Sequence, residues 1–155
     1  MTSKLQDEIQ QTRPFARKSS EALLSILRTA TLLEREQNEA LRPHGITHTQ
    51  YNVLRMLQGA GKAGLCGREI SNRLISKVPD VSRLLDRMEE LELLDRERDA
   101  ADRRHVTARI SARGKRLLAQ STPDLEAVEH ERFSGVGHRT VVALVNALEQ
   151  VRDQT

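Results

Sequence analysis

Apolar residues recur at steps of three and four through Phe15, Ala22, Leu23, Ile26, Leu27, Ala30, Leu33 and Leu41. That stripe predicts one long amphipathic helix, ended by Pro43 and Gly45. The polar stretch before it, closed by Pro14, predicts a flexible arm over residues 1–14. Thr47-His48-Thr49-Gln50 has the form of a capping box, with Thr47 as N-cap and Gln50 reaching back. A short buried face of Val53, Leu54 and Leu57 follows and stops at Gly59 and Gly61. Ile70 and Leu74 predict a third short helix, and Ser76 to Pro79 breaks it. A fourth helix then runs from Pro79, which suits a first helical turn, to Leu91, with Val81, Leu84, Leu85, Met88 and Leu91 inward.

The period then changes from helical to alternating. Leu94, Arg96 and Arg98 alternate with Asp95, Glu97 and Asp99, and Val106, Ala108 and Ile110 alternate with Thr107 and Arg109. With Asp99-Ala100-Ala101-Asp102 as the turn, this predicts a two-stranded hairpin. Ser111 caps a fifth helix through Leu117 and Leu118, and Thr122-Pro123 predicts a kink or a restart. A last helix carries Val141, Leu144, Val145, Leu148 and Val151 on one face.

Composition narrows the class. The 155 residues are 37% hydrophobic, 30% charged and 2% aromatic, so aliphatic side chains must do the packing, and a second copy of the chain is expected to complete the core. One thiol, Cys66, excludes an internal disulfide framework and fits a reducing compartment. Its place near a helix start is read as a buried or capping residue. Met1 to Arg13 has no apolar signal-peptide core, and no run of about 18 apolar residues occurs, so a soluble cytoplasmic protein without membrane contact is expected. The five histidines join no Cys or carboxylate at ligand spacing, so no metal or cofactor is expected. No phosphate loop, nucleophile elbow or HExxH motif is present, which argues against an enzyme.

Net charge is only +3, so the placement of charge decides more than its sum. Pro79, Asp80, Ser82, Arg83 and Arg87 occupy the outer side of the fourth helix. A short helix, a break and a longer amphipathic helix make a helix-turn-helix, whose second helix enters the major groove of duplex DNA. There the arginine fork matches two acceptors on guanine. A solvated face knitted by Asp–Arg pairs is the bland alternative. From Arg103 to Arg116 lie six Lys/Arg and no acid. This puts Arg103 and Arg104 at a hairpin tip, placed for phosphates or a narrow minor groove. Arg98 and His105 flank that tip, with Asp102 supporting the turn. Thr47, Thr49, Lys77 and Arg113 are expected phosphate contacts.

Residues 46–118 resemble the MarR family of bacterial transcription regulators. The likeness rests on Ile46-Thr47 with Gln50-Tyr51 and Leu54, on Val78 to Met88, and on Leu94 to Arg98 with Asp102-Arg103-Arg104 and Val106. Ser111 to Gly114 with Leu117-Leu118 stands where the family has Thr-x-x-Gly-x-x-Leu-Leu. Where that family commonly has Gly after the fourth helix, this chain has Glu92, which lacks glycine's access to positive φ and is expected to alter the angle into the wing. The resemblance implies one domain over 1–155, mainly α with a small β-hairpin wing (α+β). It implies a winged helix-turn-helix lobe at 46–118, with dimerisation helices at 15–42 and 119–155. It further implies a homodimer that binds a pseudo-palindromic operator in double-stranded DNA, as a repressor, and is released by a small aromatic or apolar acid. By position, Phe15, Leu23, Tyr51 and Leu54 would line the effector pocket. The rival reading is a winged-helix assembly module without DNA specificity. Target genes, the effector and the sense of regulation are not legible.

Overall fold

A computed structural model describes residues 3–98 and 106–154. In chain order it contains α1 (Lys4–Glu8), α2 (Lys18–Leu41), α3 (His48–Ala60), β1 (Leu65–Cys66), α4 (Gly67–Arg73) and α5 (Val81–Glu90). These are followed by β2 (Leu94–Arg98), β3 (Val106–Ile110), α6 (Ala112–Phe133) and α7 (His138–Arg152). The fold is mainly helical with one small antiparallel sheet.

The buried core lies in the middle of the chain. Val53, Leu54 and Leu57 of α3, Ile70 of α4, Leu85 and Met88 of α5, Leu94 and Ala108 of the sheet, and Leu118 of α6 converge with Leu41, Ile46, Leu65 and Leu93. Each buried aliphatic side chain contributes about 1.5–3 kcal/mol of transfer free energy. The three- and four-residue spacing on α3 and α5 is therefore what fastens these helices to the sheet.

Thr47 caps α3 as its sequence predicts: its Oγ1 accepts the Gln50 N–H at 3.2 Å, and Gln50 Oε1 accepts the Thr47 N–H at 2.9 Å. β2 and β3 pair in register from Leu94↔Ile110 to Arg98↔Val106, so Leu94, Arg96 and Arg98 share one face.

Five expectations need correction. The N-terminal arm carries α1, because Ser3 and Gln6 form a second capping box and Leu5 is buried; Glu8 reaches Arg28 of α2 at 3.8 Å. The long helix begins at Lys18 rather than Phe15, since Arg17 is extended and supplies the first carbonyl. The hairpin is part of a three-stranded sheet of order β1-β3-β2, since Leu65 and Cys66 pair with Ala108 and Thr107. α5 begins at Val81 with Asp80 as N-cap, which leaves Pro79 ahead of the helix. Finally, α6 runs unbroken through Pro123 and across position 118. Pro123 removes one backbone donor, the one that would serve the Ala119 carbonyl; ahead of it, Ser121 Oγ donates to the Leu117 carbonyl at 2.8 Å and Thr122 Oγ1 to that of Leu118 at 2.7 Å. Packing of Leu118 and Ser121 into the protein holds the helix on course.

The link from α5 to β2 is a Schellman turn. The Leu93 N–H donates to the Met88 carbonyl at 2.9 Å and the Glu92 N–H to that of Glu89 at 2.8 Å. Glu92 sits at φ 59°, the left-handed region that favours glycine. Glu92 thus takes the glycine-like conformation itself rather than turning the chain another way. α6 closes over this turn: Ser111 Oγ donates to the Glu92 carbonyl at 2.6 Å and accepts the Gly114 N–H at 2.9 Å. At Gly114 a Cβ would stand 2.1 Å from the Leu93 carbonyl oxygen, so only glycine fits. Gly114→Ala is expected to cost about 1–3 kcal/mol or more through overpacking against backbone. Urea unfolding at a fixed protein concentration measures this, and a variant as stable as wild type would contradict the packing.

Candidate nucleic-acid interface

α5 presents a sharply two-sided surface. Leu85 and Met88 are buried, Val81 and Leu84 half-buried, while Ser82, Arg83, Asp86, Arg87 and Glu90 are exposed. Asp80 starts the helix: its Oδ1 accepts the Arg83 N–H at 2.9 Å. The sequence sets Asp80 among DNA-facing residues; the structure gives that carboxylate a capping role, so the exposed helix start is left to Ser82 and Arg83. Arg83 has no carboxylate partner among the described residues, and Arg87 meets Glu90 only at 3.9 Å with both side chains largely exposed.

Two acids of α5, Asp86 and Glu89, are held by a strand residue. Arg96 of β2 donates from Nη2 to Asp86 Oδ1 and to Glu89 Oε2, both at 2.6 Å, and from Nε to Glu89 Oε2 at 2.9 Å. The Arg96 amide also approaches Glu89 Oε1 at 3.3 Å. Hydrogen bonds donated to Glu89, chiefly, raise the Arg96 pKa further above its ordinary value and outweigh the opposing effect of burial. One guanidinium therefore neutralises much of the acidic side of α5 and ties the helix to the strand. Sequence reasoning missed Arg96. Its signal was present, because the two-residue period puts Arg96 on the buried face of Leu94.

The basic block after the hairpin is weaker than its sequence suggests. Arg109 pairs with Glu97 at 2.7 Å and donates from Nε to the Lys62 carbonyl at 2.7 Å. Arg113, expected at phosphate, is set against Glu92 at 2.9 Å. That contact clasps the α5–β2 turn to α6. Arg98 is exposed at the outer end of β2, on the Arg96 side of the strand. Arg103, Arg104, His105 and Asp102 lie outside the described residues. Thr47 is exposed, with its hydroxyl accepting the cap hydrogen bond; Thr49 is half-exposed in the first turn of α3, and Lys77 is exposed between α4 and α5. Cys66 stands at the N-cap of α4, where its amide donates to Glu69 Oε2 at 2.8 Å. This matches a capping residue.

The expected pocket quartet is not brought together. Leu23 is 58% exposed on α2, Leu54 is wholly buried, and Phe15 lies before α2. Of the four, only Tyr51 lines a cavity of about 810 Å³ between α2, α3 and α6. Its hydroxyl is 3.0 Å from Thr122 Oγ1. Leu33, Leu118, Leu125 and Phe133 supply apolar wall, and His48, Arg55, Glu126 and Glu129 supply polar wall. Burial pushes the His48 pKa below its ordinary value, by more than the nearby Glu34 raises it.

A helix-turn-helix backed by a sheet, with an arginine-bearing second helix, calls for comparison with known regulators. The family model described as MarR family matches residues 44–105. The transcriptional regulator HosA of Escherichia coli O157:H7 is 31% identical over 106 residues, covering 66% of this chain and 77% of HosA. The chain belongs to the MarR family. Another relative, the HTH-type transcriptional regulator MhqR of Bacillus subtilis (strain 168), is 26% identical over 134 residues, or 86% of this chain and 91% of MhqR. The Staphylococcus aureus MepR–DNA complex superposes with TM-score 0.75 at 21% identity, over 92% of this chain and 100% of that one, which shows the shared fold. As a MarR-family protein the chain is a DNA-binding transcription regulator, not an enzyme. No described helix is long and apolar enough to cross a membrane.

Replacing the cap tests the boundary of the reading helix. Asp80→Ala should cost about 1 kcal/mol of stability, whereas Asp80→Asn should retain most of it. Thermal or urea unfolding of the pair measures this, and equal loss in both variants would contradict the capping role.

Proposed function

We propose that this regulator works as a homodimer on a pseudo-palindromic operator, acting as a repressor that a small ligand releases. The observation that carries the reading is the surface of α5. Ser82 and Arg83 are exposed at its start, and Asp86 and Glu89 beside them are held by Arg96. What remains at the helix start is the exposed guanidinium of Arg83, suited to the guanine acceptors of a major groove. Arg98, Arg103, Arg104 and His105 of the wing, with Asp102 supporting them, would contact the flanking backbone or minor groove. Thr47, Thr49 and Lys77 would add phosphate contacts.

Dimerisation is supported by apolar side chains that a single chain leaves in solvent. Leu23 and Leu27 of α2 are 58% and 56% exposed, and Val142, Leu144, Val145 and Val151 of α7 are 44–62% exposed. No α7 residue is buried. α2, the second half of α6 and α7 would pack against their counterparts, burying these stripes. Two copies of α5 would then enter successive major grooves about 34–36 Å apart. The releasing ligand would occupy the cavity beside Tyr51. Arg55, which has no carboxylate partner among the described residues, stands ready for an acid group.

Selection from random duplex DNA tests the reading: an inverted repeat should be enriched, and an assembly module would enrich none. On that operator, Arg83→Ala should cost about 1–3 kcal/mol and relax preference at one base position. Arg104→Ala should instead weaken binding to most sequences and reduce the salt slope by about one. Titrations at several salt concentrations read both effects; two variants that bind as wild type would remove these roles.

A further inference from the structure

The tie between α5 and β2 has more reach than a surface ion pair. Arg96 lies on the inner face of its strand, with only 23% of its side chain exposed, and bridges residues three apart on α5. Each oxygen it holds is on the far half of the helix, while Ser82 and Arg83 lie on the near half. β2 carries Arg98 two residues beyond, on the same face. A helix held at one end by the turn at Glu92 can still swing about that point. Bonds at Asp86 and Glu89, up to a turn and a half before it, remove the freedom. A planar fork bonded to two carboxylates fixes orientation as well as distance.

We infer that Arg96 is a positioning residue for DNA recognition: by bridging Asp86 and Glu89 to β2 it fixes the angle between the reading helix and the wing, and so makes the two contact one duplex together. Arg96 touches no base in this account. It acts through α5, and the inference rests on the reading of α5 as the DNA-facing helix.

Two effects of losing Arg96 must be separated, because its removal also leaves two uncompensated carboxylates facing phosphate. Operator and random-duplex affinities are therefore compared for wild type, Arg96→Gln, Arg96→Lys, and the triple variant Arg96→Gln/Asp86→Asn/Glu89→Gln, which orphans no charge. Affinities are expressed per active dimer, with circular dichroism and sedimentation confirming fold and assembly. Arg96→Gln should lose about tenfold or more in operator affinity and less than about threefold on random DNA, which narrows the specificity ratio. The triple variant should stay at least about fivefold weaker on operator, since the geometric tie is still missing. Its return to wild-type affinity would show that charge masking alone mattered and would overturn the inference. Arg96→Lys keeps the charge but not the fork. It should lose specificity as a folded dimer, and wild-type specificity in it would likewise overturn the inference. A purely structural role would lower the unfolding midpoint while the folded dimer kept its specificity ratio. A wild-type protein that enriches no operator would instead sink the DNA reading of α5 itself.

Discussion

The direction in which the chain leaves α5 is set within three residues, and the functional surface hangs on them. Leu91 ends the helix, Glu92 turns left-handed at φ 59°, and Leu93 returns a hydrogen bond to Met88 before β2 begins. Glu92 is held from the other side by Ser111 and Arg113, while Gly114 brings α6 against the Leu93 carbonyl. A left-handed L-residue costs roughly 1–2 kcal/mol, so these surrounding bonds must offset it. The angle between helix and wing is therefore a property of α5, β2 and α6 together. A change in how α6 sits would be felt at α5 through Ser111 and Gly114, and α6 also walls the Tyr51 cavity.

Electrostatics work by cancellation rather than by excess. With 25 Lys/Arg against 22 Asp/Glu the chain has little net charge to offer a polyanion. Several acids near the reading surface are each set against an arginine: Asp86 and Glu89 share Arg96, Glu97 meets Arg109, and Glu92 meets Arg113. Exposed pairs of this kind contribute little stability. Their consequence lies in which cations stay unpaired among the described residues, and at the start of α5 that is Arg83.

What could be read from sequence was local. The Thr47–Gln50 box, the buried face Leu85–Met88 and the alternation Leu94–Arg98 against Val106–Ile110 each follow from spacing within one element. The family likeness rested on those segments. The misses are non-local. Ser3 and Gln6 spell a capping box, yet α1 persists because Leu5 finds cover on α2. β1 has two residues, too few to show a period. Pro123 reads as a break until Leu118 and Ser121 are seen buried on either side of the preceding turn. The partners of Arg96 lie seven and ten residues away on another element, so its charge read as one more alternating polar position. Leu54 read as a pocket residue and is core instead, because amphipathic spacing cannot separate a cavity wall from packed interior.

Interference by guanine N7 methylation tests the central claim most directly, because N7 faces the major groove, where the end of α5 is held to read. On the selected operator, interference is expected at symmetry-related guanines in two successive major grooves, about 10 base pairs apart, and should be lost in Arg83→Ala. An operator on which no N7-methylated guanine interferes, or a pattern without two-fold symmetry, would contradict it.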